Sequence, residues 1–309
     1  MERYNVFQQR KISTWMMLVA TMIWGMGFIA QSEGAKHVPP FFFNGVRFWI
    51  GAAVILPMSL IRTHKNTGEK TFWTKGEDKK ILFQGSFIDG IILFVAMSLQ
   101  QIGIGFSTPS KAGFLISLNI IFVPIIRMFF GEKIKVFQWV GIFAAMVGVS
   151  LLTLNEELEI NPGDLFLIIA TVFYALNTIV SGHYNKTVES FKYTMFRFIV
   201  GAVFCNVISF FTESVTREMV IGALPSILFA GVLSSGVAFS LQSFAQSYLD
   251  DLSIALILSM ESVFAAIFAW AIVGDVLSTK ELLGCIIIFI SVVYIQIIQG
   301  KDVEPPQII

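Results

Sequence analysis

Apolar residues in this chain do not alternate with polar ones. They run on in long stretches separated by short polar interruptions, and a membrane-spanning helix needs roughly 20 such residues. Ten stretches qualify: 12–32, 39–61, 81–103, 109–130, 136–154, 162–183, 190–211, 222–248, 252–273 and 280–299. Pro39, Pro40, Pro109, Pro162 and Pro225 are placed at helix starts, where a missing N–H costs least. Pro57 and Pro124 fall inside stretches and are expected to kink them.

The cations between the stretches give them a direction. With the amino terminus inside, 15 Lys and Arg residues fall in inner segments, and four (Lys36, Lys111, Arg217, Lys280) fall in outer ones. Positive residues are retained on the cytoplasmic side, so both termini are expected in the cytoplasm of a cell (plasma or inner) membrane protein. The segment 155–164, with Glu156, Glu157, Glu159 and no cation, then lies outside. Arg3, Arg10 and Lys11 precede the first stretch as they would in a signal peptide, but such a signal has an apolar run of roughly 7–15 residues. This run is longer and has a counterpart later in the chain, so it is read as a retained span.

Composition agrees. Hydrophobic residues make up 55% of the chain and charged residues 14%, against roughly a quarter charged in a soluble domain. Lys+Arg and Asp+Glu are equal at 21, so no basic excess points to nucleic acid. Cys205 and Cys285 both lie in apolar stretches and are too few for a disulfide framework or a zinc site.

The two halves of the chain resemble each other. At an offset of 150, Phe41, Arg47, Phe48, Gly51 and Ala52 meet Phe191, Arg197, Phe198, Gly201 and Ala202, and Trp24 meets Tyr174. At 146, Ile81, Leu82, Phe83, Gly85, Gly90 and Gln100 meet Ile227, Leu228, Phe229, Gly231, Gly236 and Gln246. At 143, Ser110, Ala112, Leu115, Gly131 and Gly141 meet Ser253, Ala255, Leu258, Gly274 and Gly284. An ordered series whose offset drifts only at loops reads as a duplication, with units at 1–154 and 155–309. Each unit holds five spans, an odd number, so the second must enter the membrane from the opposite side. The fold expected is all-α integral membrane, with ten transmembrane helices as two inverted five-helix repeats, a common plan of secondary transporters.

The residues Trp24-Gly25, Arg47-Phe48, Gly131-Glu132-Lys133 with Gln138-Trp139-Val140-Gly141, and Met260-Glu261-Ser262-Val263-Phe264-Ala265-Ala266 with Gly274-Asp275 carry a further likeness. Over essentially its whole length the chain resembles the drug/metabolite transporter superfamily, specifically the EamA-type ten-helix permeases. The resemblance implies export of small metabolites, amino acids or drugs. The chain departs from the family at Ser262, where proline often follows the glutamate, at Asn119 in the fourth span, and at Gly274-Asp275.

A charge at the bilayer centre costs at least about 2.5–3.5 kcal/mol, so each intramembrane charge needs a reason. Asp89 shares a face with Gly85, Ala96 and Gln100, a small and polar stripe suited to a cavity wall; it is either a proton-coupling or cation-binding carboxylate or one tied to another helix. Glu261, near the middle of the ninth span, carries the same two readings. Arg47 and Arg197 are a matched pair that could hold carboxylates or form alternating gate ion pairs, with Glu33 and Glu189 as guessed partners. Trp24 and Tyr174, matched at an offset of 150, are expected to face each other across the symmetry axis. Tyr174, Asn177 and Ser181 form a polar stripe, and Asn119 and Gln242 are buried amides able to bind a ligand or bridge helices. Gly141, Ala145 and Gly148 form a small-residue packing face.

No H-E-x-x-H, Walker or G-x-S-x-G motif occurs in the sequence. The reading is therefore a non-enzymatic carrier with no cofactor or metal, working by alternating access, with a membrane-embedded enzyme or a channel-like protein as the alternatives. The expected partners are a small-molecule substrate and the lipid bilayer, with a homodimer left open and no nucleic acid.

Overall fold

The computed structural model describes residues 2–67, 72–73, 76–107, 109–153, 161–268, 270–271 and 278–301, and among them every regular element is helical. The elements are α1 (Glu2–Ala35), α2 (Pro40–Thr67), α3 (Lys79–Ile104), α4 (Pro109–Ser117), α5 (Asn119–Phe129), α6 (Val136–Thr153), α7 (Pro162–Thr187) and α8 (Ser190–Thr212). After these come α9 (Arg217–Leu228), a π-helical segment (Phe229–Ala238), α10 (Phe239–Gln246), α11 (Asp251–Leu258), α12 (Met260–Phe268) and α13 (Thr279–Lys301). Among the described residues eight helical stretches are long and apolar enough to cross a membrane, and Val136–Leu151 is a shorter apolar helix. The last residues of the chain and most of the acidic segment 155–164 lie outside the described residues.

The helices start where polar side chains can take up the free N–H groups of the first turn. Asp78 accepts from Ile81 N at 3.1 Å, Glu189 from Lys192 N at 2.7 Å, and Asp250 from Ser253 N at 3.0 Å. Asn161 and Asp164 close a reciprocal capping box around Pro162. Pro40, Pro109 and Pro162 each occupy the first helical position. Pro225 does not: α9 begins earlier, at Arg217, where Thr216 supplies the cap, and the proline sits inside the helix just before its turns widen into the π segment.

Three expected spans depart from regular α-helix. The fourth breaks at Leu118 into α4 and α5, the ninth breaks at Ser259 into α11 and α12, and the eighth passes through the π segment. Apolar periodicity reports hydrophobic thickness and not backbone continuity, so the breaks are invisible to it.

Helix α2 packs along α8, α3 along α7 and α8, and α6 along α13. The centre of the first contact is reciprocal. The Phe48 and Phe198 rings meet at 5.3 Å, a Cβ on Gly51 would come 3.0 Å from Phe198, and one on Gly201 would come 3.0 Å from Phe48. The missing side chains let each backbone approach the other helix's ring this closely. The expected small-residue face on α6 is used against α13, where Gly148 faces Ile288 and Gly141 faces Ile295. Outward positions are apolar (Phe143, Phe210 and Ile290 are exposed), whereas Asp89, Arg47 and Arg197 are buried. That inside-out distribution matches a lipid surround.

Candidate functional site

The broken helices meet around one chamber of about 70 Å³. At each break the chain closes a tighter turn, with Leu118 N bonding to Leu115 O at 3.3 Å and Ser259 N to Leu256 O at 3.1 Å. Irregular backbone at membrane depth is tolerated where it is buried in protein or lines a cavity, and Ser117, Asn119, Ser259 and Glu261 from these breaks all line this one. Ser262, where the family often has proline, sits beside the break and bonds the Ser117 hydroxyl at 2.6 Å, joining α12 to α4.

Eight of the ten side chains singled out in the sequence border the chamber: Trp24, Arg47, Gln100, Asn119, Tyr174, Asn177, Gln242 and Glu261. They come from both halves of the chain. Trp24 donates from Nε1 to the Ser234 carbonyl at 3.2 Å and sits edge-on to Phe239. The Tyr174 hydroxyl donates to Gln100 Oε1, so the aromatic and the amide are fixed to each other across α7 and α3. Asn119 Oδ1 and Gln242 Oε1 are buried acceptors with no partner among the described residues. Glu261 has no hydrogen-bond or ion-pair partner among the described residues.

Asp89 and Arg197 do not border the chamber. Asp89 Oδ1 accepts from Asn177 Nδ2 at 2.6 Å; its Oδ2 accepts from the Tyr193 hydroxyl at 2.7 Å and from Arg197 Nη1 at 2.9 Å. Both charges are fully buried. A buried ion pair is tolerable when further hydrogen bonds satisfy its lone pairs and protons; here three donors reach the carboxylate and Ser243 accepts from Arg197 Nη2, while Arg197 Nε has no acceptor among the described residues. The stripe Gly85, Asp89, Ala96, Gln100 was expected to form a cavity wall, but only Gln100 reaches the chamber. Gly85 lies against Tyr184 of α7, and Ala96 is buried in helix packing.

The guessed arginine partners are also corrected. Glu33 pairs with Lys36 and His37 at the end of α1. Glu189 lies 3.5 Å from Arg62, and Arg197 takes Asp89 instead. Arg47 bonds only neutral groups: Gln31 Oε1 at 3.0 Å, Ser234 Oγ at 2.9 Å and Ser235 Oγ at 3.1 Å. Sequence spacing cannot rank partners that lie on other helices.

Several lining residues were not anticipated, among them Gln31, Met97, Thr178, Ser234 and Ser259. Gln31 had a signal, since it follows Trp24 by seven residues and so shares its helical face. Ser234 and Ser259 sit in apolar runs where a serine reads as a small packing residue.

At one end of the molecule, three ion pairs join the two halves. Lys192 Nζ lies 2.8 Å from Glu77, with both side chains nearly buried; Arg127 lies 2.7 Å from Asp251; and Arg62 faces Glu189. Burial pushes the Glu189 carboxyl above the usual carboxylate range, while the backbone N–H groups of Lys192 and Phe191 and the Arg62 guanidinium pull it back. The opposite end is joined differently: Glu213 caps α2 by accepting from Phe41 N and Phe42 N at 2.9 and 2.7 Å.

Comparison with known proteins agrees with this architecture. The model of the EamA-like transporter family matches residues 11–154 and again 161–297. An uncharacterised transporter of Archaeoglobus fulgidus is 26% identical over 91% of this chain and 84% of its own length. The uncharacterised transporter YoaV of Bacillus subtilis is 25% identical, covering 88% of this chain and 92% of the relative. YedA of Escherichia coli, an uncharacterised inner membrane transporter, is 22% identical across 92% of this chain and 90% of its own. A solved crystal structure superposes with a TM-score of 0.75 over 94% of this chain and 99% of its own at 16% identity, which shows a shared fold.

Proposed function

The chain belongs to the EamA-like transporter family, and from that premise we propose that it is a secondary carrier that exports a small metabolite, amino acid or drug by alternating access to the central chamber. The observation that carries this reading is the chamber itself. Its wall mixes apolar surface with convergent polar groups, it sits where broken helices meet, and Trp24, Arg47 and Gln100 of the first half face it together with Tyr174, Gln242 and Glu261 of the second.

The mechanism follows from ten spans arranged as two inverted repeats, 1–154 and 155–309. The reciprocal seating of Phe48 on Gly201 and Phe198 on Gly51 supports that arrangement, because a two-fold axis between α2 and α8 produces it directly. Two such halves can rock about the shared contact and open the chamber to either side. The ion pairs Lys192–Glu77, Arg127–Asp251 and Arg62–Glu189 all cross between halves at the end where loop cations concentrate. They act as the cytoplasmic gate, made when the chamber faces outward and broken when it faces inward. Export as the net direction rests on the family resemblance.

Reconstitution in liposomes tests the reading. A carrier gives saturable uptake and counterflow of at least one solute in a metabolite screen. Conductance that rises without saturation would assign the protein to channels instead.

A further inference from the structure

Resting on the carrier reading, we propose that Arg47 anchors an acidic group of the transported solute, so that the substrate is a small molecule bearing a carboxylate. The argument is an asymmetry between matched positions. Arg47 corresponds to Arg197 at an offset of 150, and Ser235 corresponds to Asp89 at an offset of 146. The fold makes both matched contacts: Arg197 Nη1 lies 2.9 Å from Asp89 Oδ2, and Arg47 Nε lies 3.1 Å from Ser235 Oγ. One half therefore holds a carboxylate where the other holds a neutral hydroxyl.

The exchange extends to the neighbours. Tyr193, which donates to Asp89, corresponds to Phe43, whose ring lies 6.0 Å from the Arg47 guanidinium. Asn177, the remaining donor to Asp89, corresponds to Gly27. Everything that neutralises one arginine and satisfies its carboxylate is missing around the other.

Arg47 is 1% exposed, and no carboxylate among the described residues pairs with it. Its three bonds go to neutral oxygens, one each from Nε, Nη1 and Nη2. A guanidinium has five N–H donors, so one N–H on each terminal nitrogen remains. Two such donors suit the two oxygens of a carboxylate. Arg47 borders the chamber, whereas its matched partner does not. A buried charge without a counter-ion is costly to keep, and a substrate that supplies the counter-ion recovers that cost on binding. Elsewhere on the wall, Asn119 Oδ1 and Gln242 Oε1 are acceptors with no partner among the described residues and Glu261 is itself a carboxylate, so Arg47 is the one cationic side chain among the described lining residues.

The test uses the purified full-length protein and four small probes: propanoate, alanine, alaninamide and ethylamine. Thermal unfolding is followed for the wild type, Arg47→Gln and Ser235→Asp. Ser235→Asp gives Arg47 the counter-ion that Arg197 already has, so it preserves a structural role for the guanidinium while filling the anion position. Propanoate or alanine should raise the unfolding temperature of the wild type, the amide and the amine should not, and both variants should lose the response. Stabilisation by alanine alone supports the anchor with Glu261 reading the ammonium group, and equal stabilisation by propanoate supports it with the acid group sufficient. In counterflow, a carboxylate solute should exchange about tenfold more slowly in Ser235→Asp, the loss expected from one charge-assisted contact. No response to either acid, an equal response to the amide and amine, or an undiminished response in Ser235→Asp would overturn the proposal. Saturable exchange of a neutral or cationic solute, unchanged in Ser235→Asp, would overturn it while leaving the carrier reading standing. Unsaturable conductance would remove the carrier reading itself.

Discussion

Asp89 and Glu261 are carboxylates deep within spans, and their surroundings assign them different work. Asp89 is saturated by Asn177, Tyr193 and Arg197, which is the arrangement of a structural clasp between α3, α7 and α8. Removing one partner of a buried pair leaves an uncompensated charge and costs about 3–5 kcal/mol. Asp89→Asn is accordingly expected to lower the unfolding temperature sharply in detergent, with Arg197 stranded. Glu261 borders the chamber without a partner among the described residues, so Glu261→Gln should leave thermal stability close to that of the wild type. If the carrier is proton-coupled, Glu261 is the group placed to exchange the proton, and Glu261→Gln should remove the effect of an imposed pH gradient on uptake into inverted vesicles. A gradient response that survives in Glu261→Gln would assign coupling elsewhere.

At the scale of elements, the chamber depends on helices that stop and restart. The breaks at Leu118 and Ser259 turn Asn119 and Glu261 toward the same space, and the Ser117–Ser262 bond holds the two broken helices together. The pairing of α2 with α8 depends instead on missing side chains. Overpacking a tight interface costs about 1–3 kcal/mol. Gly51→Val, which also meets Ser235 Cβ at 2.8 Å, and Gly201→Val should each destabilise the protein by that order, and the double variant by less than the sum, because both substitutions share the Phe48–Phe198 contact. Chemical denaturation of the two single variants and the double variant measures this; strict additivity would mean that the two contacts are independent.

For the whole molecule, the two halves are joined by different chemistry at the two ends. One carries ion pairs across the halves, and the other carries the Glu213 cap on α2. A gate made of charges can be weakened by neutralising one of them. In a background lacking Cys205 and Cys285, a cysteine at Ser259 reports access to the chamber. Glu77→Gln, which removes the partner of Lys192, should increase maleimide labelling of that cysteine from the cation-rich side by several fold. Labelling that is unchanged, or raised equally from both sides, would argue against a gate at that end.

Hydrophobic thickness and repetition are written along the chain, because a span needs only a length of apolar residues and a duplication needs only matched order. The membrane character, the family and the pairing of Arg47 with Arg197 were therefore legible before any fold was known. The same matched positions also contained the contrast between Asp89 and Ser235, although it takes on meaning only once each is seen against its arginine. Backbone breaks, the true partners of the charges and the withdrawal of Asp89 from the chamber were decided in three dimensions. Each depends on which side chain a neighbouring helix presents at a given depth, and apolar spans constrain that depth and rotation only weakly, since lipid accepts almost any hydrophobic face.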